Sequence, residues 1–282
     1  MNKFVLASQR LFMLCFPNAK INIGLFVTEK RGDGYHNLET VFYPVPIKDV
    51  LEILPAEEME MKIHGLEIAG EQHNNLVWKA WTLLKQDHPD LVKPVSIHLL
   101  KHIPMGAGMG GGSADGAFML QLLNDYFELG LNADVLRDYA LRLGSDCPFF
   151  IENKTNFASG RGEAMSPLSL DMDRYSLQVV CPELHISTAT AFGQLMPKPA
   201  SFDLRTLPSL PVKEWHKHIH NDFEPAIFAA HPLLEQIKAH LYSSGAVYAS
   251  MSGTGSTVYG FFEKGDRADM SYFAGVRHYY FI

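Results

Sequence analysis

Residues Ile103 to Gly116 read IPMGAGMGGGSADG. Gly106, Gly108, Gly110, Gly111 and Gly112 leave most of that loop without side chains. Glycine costs backbone entropy on folding, so such density belongs where something must approach the main chain closely. Val95 to Ile103, just before, reads as a strand. After Ser113 a helix is expected, because Phe118, Met119, Leu122, Leu123, Tyr126 and Phe127 recur at helical spacing. A loop that feeds a helix N-terminus can hold an anion with unpaired N–H groups and the positive end of the helix dipole.

Three kinds of phosphate loop compete. Gly106, Gly108 and Gly111 fit GxGxxG, the dinucleotide fingerprint. That site wants an acidic residue about 20 positions on, at the end of a second strand. Asp125 has the distance but falls inside the expected helix, and Pro104 separates strand from turn. A Walker A loop needs a lysine where Gly112 stands. The remaining kind cradles nucleotide phosphates without an embedded lysine, with Ser113 able to cap the helix or help ligate magnesium. Asp115 would repel a phosphate if it pointed inward, and its role stays open.

The bulk properties narrow the partners. The chain has 282 residues, 47% of them hydrophobic, and a net charge of −7. This is a globular composition, and no global positive field draws nucleic acid or an anionic membrane. Any phosphate site must be made locally. Cys15, Cys147 and Cys181 are few and far apart, which suits a reducing, cytoplasmic setting. Gln9 and Arg10 break the apolar N-terminus, so it does not read as a signal peptide. Met13 can be the true start, which would make residues 1–12 an extension.

Strands are expected over 16–28 and 38–45, with RGDGYH, Arg31 to His36, as the turn between them. Shorter strands are expected over 51–53, 62–68, 177–181, 246–251 and 257–262. Asn75 and Asn132 can cap helices. Gly144 reads as a left-handed helix end. NFASGRGE, Asn156 to Glu163, reads as a turn, 197–215 as a surface connection, and 221–242 as partly helical. Strands and helices mix without a βαβ beat, which predicts α+β.

Lys20 and Asn22 in PNAKIN, Pro17 to Asn22, share one strand face and can serve an anion. A solvated edge lysine fits equally well. Asp146 in LGSDCPFF can accept a hydroxyl proton or cap a short helix. SGTGS, Ser252 to Ser256, fits a plain hairpin connection. His216, His218 and His220 would share a face on a strand, but no second ligand cluster accompanies them, and no metal site is assigned.

Together, PNAKIN, IPMGAGMGGGS and SGTGS, in that order, resemble the GHMP kinase family. RGDGYHNLETVFYPV, NLVWKA, LGSDCPFF and NDFE resemble the branch that acts on a cytidine diphosphate of methylerythritol. The resemblance runs from about Pro17 to Phe262. It implies a two-domain α+β fold, an ATP-binding domain over 1–160 and a substrate-side domain over 161–282. It implies transfer of the ATP γ-phosphoryl group, with Mg2+, to the substrate's tertiary hydroxyl, in non-mevalonate isoprenoid precursor synthesis.

Lys20 and Asp146 match the family's catalytic pair. Pro104, Gly106, Gly108, Gly110, Gly111, Gly112 and Ser113 match the phosphate loop, and Asn75 and Lys101 match positions near the adenosine. Tyr35 and Phe192 match the aromatic sandwich for the cytosine, His36 its hydrogen-bonding partner, and Asn22 and Thr188 groups near the substrate phosphates. Ala114 departs from the adjacent serine of many relatives. Another GHMP kinase, for mevalonate, homoserine or a sugar, is the nearest rival. A nicotinamide-dependent oxidoreductase is a further one.

Overall fold

The computed structural model describes residues 12–68, 70–193 and 195–282. Residues 1–11, nearly all of the extension expected ahead of Met13, lie outside the described residues. After the short β1 (Met13–Cys15), two long strands, β2 (Asn18–Lys30) and β3 (His36–Lys48), pair antiparallel. Their turn is closed by Arg31 N donating to Tyr35 O (2.8 Å) and Tyr35 N donating to the Asp33 carboxylate (3.1 Å).

β4 (Val50–Pro55), β5 (Glu60–Gly65), α1 (Leu76–Asp87) and β6 (Val95–Lys101) follow. Then come α2 (Gly111–Tyr126), α3 (Ala133–Leu143), α4 (Phe149–Glu152) and the hairpin of β7 (Asn156–Ser159) with β8 (Ala164–Pro167). The rest is β9 (Tyr175–Pro182), α5 (Thr188–Gly193), α6 (Glu224–Ala230), α7 (Pro232–Ser243), β10 (Tyr248–Met251), β11 (Val258–Glu263) and β12 (Val276–Phe281).

Three four-stranded sheets result, ordered β1-β4-β6-β5, β2-β3-β7-β8 and β10-β11-β9-β12. Only β5 with β6 is parallel among these pairings. The class is α+β, as the irregular order of strands and helices predicts.

Alternation decides what packs on what. Leu51 and Ile53 of β4 and Ile97 and Leu99 of β6 point one way, into Val77, Ala80 and Leu84 of α1 and Leu120 and Leu123 of α2. Ile21 and Ile23 of β2 join Val179, Tyr248 and Phe261 of the third sheet in a second core. The strand that carries Lys20 is thereby held from the C-terminal half. Asn75 caps α1 by accepting from Val77 N (2.9 Å), and Asn132 caps α3 by accepting from Val135 N (3.0 Å), as expected.

Several expectations change. Gly144 closes α3 with φ 173°, extended backbone open to any residue, so no left-handed cap forms there. The helix expected after Ser113 begins at Gly111, and its cap is the left-handed Gly110 (φ 68°). Ser113 lies inside the first turn and caps nothing.

Residues 197–215 are no mere surface connection. Short 3-10 turns there bury Leu204, Leu207, Val212 and Trp215, whose apolar residues recur every third position, the 3-10 repeat. The histidine run starts in the second turn (Val212–Lys217), so strand alternation does not apply. His218 lies against Phe202, and His220 meets the Asp222 carboxylate at 3.0 Å. Among the described residues no group of three His, Cys, Asp or Glu could hold a metal ion. The expected division at residue 160 falls in the turn of the β7–β8 hairpin, and a cut there would split paired strands. We propose that the halves part after β8.

Candidate active site

The glycine loop is gripped on three sides. Lys20 N donates to Met109 O (3.0 Å), Thr257 N to Ala107 O (3.1 Å) and Ser252 Oγ to Gly108 O (2.8 Å). Gly106, Gly108 and Gly110 have φ of 66°, 77° and 68°, which side chains rarely adopt. Gly111, Gly112 and Ser113 form the first turn of α2, where helical geometry offers their N–H groups no intrahelical acceptor.

Lys20 runs beneath Gly110: a Cβ built there would lie 3.1 Å from Lys20 Cε. The lysine is buried, and its Nζ donates to Asn22 Oδ1 at 2.6 Å. Asn22 Nδ2 in turn donates to Thr40 Oγ1 (3.0 Å). The Lys20 ammonium lies 3.4 Å from Asp146 Oδ2, and the Asp146 side chain is 36% exposed. Asp146 does not cap the short helix after it, because the cap position there is Pro148. One buried cation therefore faces one accessible carboxylate beside the loop. Cys147, next to it, is a packed residue whose thiol burial pushes up to about 12.

A cleft of 790 Å³ joins these groups to an aromatic end. Its wall includes Lys20, Asn22, Gly106, Gly108, Gly110 and Asp146, together with Tyr35, His36, Thr188 and Phe192. Each ring already has a neighbour, although Tyr35 stays exposed. His36 stacks on Phe192 at 4.9 Å and 25°, and the Arg161 guanidinium lies 4.0 Å from the Tyr35 ring centre. Thr188 Oγ1 meets Thr254 Oγ1 at 3.4 Å.

The remaining expected nucleotide residues divide. Asn75 and Gly112 line a second, smaller cavity of 190 Å³ with Met105 and Asp115. Pro104, Gly111 and Ser113 line neither cavity. Lys101 does not face a ligand space at all. Its side chain is 0% exposed and its ammonium is held by the carboxylates of Asp49 and Asp115. Strand alternation places it with Ile97 and Leu99, on the inward face of β6.

Models of two families match the chain, "GHMP kinases N terminal domain" over residues 75–154 and "GHMP kinases C terminal" over 207–272. A Bacteroides fragilis protein named 4-diphosphocytidyl-2-C-methyl-D-erythritol kinase is 52% identical over 254 residues, 89% of this chain and 92% of that one. The chain belongs to the GHMP kinase family. A Porphyromonas gingivalis protein of the same name is 43% identical, over 91% of this chain and 94% of its own.

A crystal structure of 4-(cytidine 5'-diphospho)-2C-methyl-D-erythritol kinase superposes with TM-score 0.71 at 30% identity, covering 88% of this chain and 89% of that one. A Methanococcus jannaschii mevalonate kinase shares the fold alone, with TM-score 0.70 at 12% identity, over 95% and 97% of the two chains.

Within this GHMP chain, two site features escape the sequence reading. Arg161 sits in a turn read only as a turn, and its Nε and Nη2 donate to Ser145 Oγ (3.2 and 2.9 Å), beside Asp146. An arginine between two glycines in an otherwise small turn is its only signal. SGTGS is the expected hairpin connection, between β10 and β11, and it also carries a contact the sequence does not show. Ser252 Oγ accepts from Asn22 N (3.1 Å) while donating to Gly108 O, so it ties the Lys20 strand to the glycine loop. Asn221 of NDFE fixes that turn by donating to Met251 O (2.8 Å) and Gly253 O (2.7 Å).

Proposed function

We propose that the chain transfers the γ-phosphoryl group of ATP to the 2-hydroxyl of 4-diphosphocytidyl-2-C-methyl-D-erythritol. One observation carries this reading: a single cleft is lined by Gly106, Gly108 and Gly110 of the glycine loop, the Lys20–Asp146 pair and the Tyr35, His36 and Phe192 group. Mevalonate, homoserine or a sugar has no need of that aromatic end.

The residues fit a nucleotide that brings its own magnesium. The loop presents bare main chain at a helix N-terminus. Magnesium in such sites is held largely by phosphate oxygens and water, so one protein carboxylate suffices. Among the described residues Asp146 is the only carboxylate on the cleft wall, against the cations Lys20, Lys30 and Arg161. That excess of positive charge suits two polyphosphates in a chain of net charge −7.

Bound ATP with magnesium supplies the phosphoryl group and part of its charge neutralisation. Asp146 orients the substrate hydroxyl and takes its proton. Lys20, held in place by Asn22, stabilises the carboxylate and the negative charge that shifts toward it during transfer. Tyr35 and Phe192 grip the cytosine faces, and His36, once off Phe192, hydrogen-bonds its edge. Among the described residues no helix is long and apolar enough to cross a membrane. Use of ATP and three free cysteines agree with a cytoplasmic setting.

A coupled assay of ADP release across candidate alcohols tests the reading. Turnover is expected with the cytidine diphosphate substrate alone. Turnover with mevalonate or homoserine in its place overturns it. Tyr35→Ala is expected to raise the KM for that substrate about tenfold or more with little change in kcat, since stacking grips ground and transition states alike. An unchanged KM removes Tyr35 from the site.

A further inference from the structure

Beneath the glycine loop lies a charged cluster that the transfer step does not use. The Lys101 ammonium touches both Asp49 and Asp115, and the three side chains are 0%, 0% and 2% exposed. A Cβ built on Gly111, the first residue of α2, would lie 3.0 Å from Lys101 Nζ. The cluster therefore sits directly under the helix N-terminus that faces the phosphates.

Its donors are shared unequally. Asp49 accepts from Lys101 and from two main-chain groups, His102 N (2.6 Å) and Ile103 N (2.8 Å). Asp115 accepts from Lys101 alone, at 2.8 Å, through Oδ2. Asp115 Oδ1 is buried and has no hydrogen-bond partner among the described residues. Asp115 also borders the small cavity shared by Asn75 and Gly112.

With both carboxylates ionised, one cation faces two anions among side chains that are almost wholly buried. A carboxylate with three donors is far better solvated than one with a single donor. Asp115 is thus the member that a proton would neutralise.

We propose that Asp115 is a positioning residue of the nucleotide site that works as a carboxylic acid: it holds Lys101 beneath Gly111 and takes up a proton when polyphosphate occupies the loop. This rests on the reading that nucleotide phosphates lie on the glycine loop.

The proton comes from solvent and forms an O–H bond on Asp115, and no bond of the nucleotide breaks. Burial already pushes the Asp115 carboxyl up to about 7, against the pull of Lys101 and with a push from Asp49. Other titratable groups stand around the cluster, among them His102, whose ring lies against Tyr279. The Cys15 thiol of β1, which faces Asp115, is held up at about 12 by burial, so it stays neutral. Tyr279 of β12 faces Asp49 and is raised by burial as well. Glu71 lies across the small cavity. A polyanion above the cluster disfavours the ionised carboxylate further, so binding raises proton occupancy.

Calorimetric titration of the whole chain with MgADP, in buffers of differing ionisation enthalpy, reads the proton count. Wild type is expected to take up a fraction of a proton per nucleotide, largest between about pH 7 and 8. Its affinity should therefore fall as pH rises through that range. Asp115→Asn, nearly isosteric and still able to accept from Lys101, should bind with no such uptake and a flat pH profile. The ionisation of MgADP itself is common to both proteins and cancels in the difference.

MgADP binding by wild type without proton uptake overturns the proposal, and so does equal uptake by Asp115→Asn. Should the variant fail to fold, the wild-type proton count decides once the ionisation of MgADP, titrated alone in the same buffers, is subtracted. A chain that binds no MgADP at all sinks the nucleotide reading of the loop together with it.

Discussion

Asp146→Asn is expected to lower kcat by about 10²- to 10⁴-fold while nucleotide binding survives. The substitution keeps the shape of the side chain, so the cleft and the loop stay as they are. It removes the charge and most of the basicity at the only carboxylate that lines the cleft among the described residues. Because the group is 36% exposed and not buried in the core, little stability depends on it. The measurement is steady-state kinetics for both substrates together with direct ATP binding. Near-normal kcat would end the proton-accepting role.

Lys20→Ala serves as the companion variant. It should also lose most of kcat, but with a larger stability cost, because the buried Lys20 stem packs beneath Gly110 and its ammonium holds Asn22. Asp146 and Lys20 act as one unit, so their combined loss should fall well short of the sum of the two.

That pair shows how much of the site the sequence carries. Lys20 and Asn22 are two apart on a strand, and period two alone puts them on one face. Their contact is local, and so is the Asn75 cap. Lys101 is local too, yet the family resemblance alone places it near the adenosine. Its alternation with Ile97 and Leu99 is the stronger signal and gives the buried side. For the same reason 197–215 is legible in retrospect, from apolar residues three apart.

Arg161 and Ser252 differ in kind. Ser252 acquires its role only when a turn late in the chain docks on the early strand that carries Asn22, and Arg161 only when its hairpin meets Tyr35. No periodicity encodes such long-range contacts. Motif order along the chain carries the family, whereas the joints between motifs exist only once the chain has folded.

Gly108→Ala puts weight on one of those joints. An added Cβ would lie 2.0 Å from Ser252 O and 2.9 Å from Ser252 C, both of them main-chain atoms. The φ of 77° adds a strain of roughly 1–2 kcal/mol for an L side chain. Neither cost can be met by turning a rotamer. The loop must draw back from the Ser252 turn, and that breaks the Ser252 Oγ to Gly108 O bond and loosens the tie to Asn22 N.

A displacement of about 1 Å at the reacting groups costs about 10²-fold, so kcat/KM for ATP is expected to fall by at least that much. Gly112→Ala supplies the contrast inside the same loop. Its Cβ would meet only the end of the Met105 side chain, at 3.4 Å, with no left-handed backbone to strain. It should melt close to wild type, while Gly108→Ala melts lower. If Gly108→Ala keeps both its melting temperature and its KM for ATP, the two glycine turns are not coupled. The loop would then hold its shape without the C-terminal half.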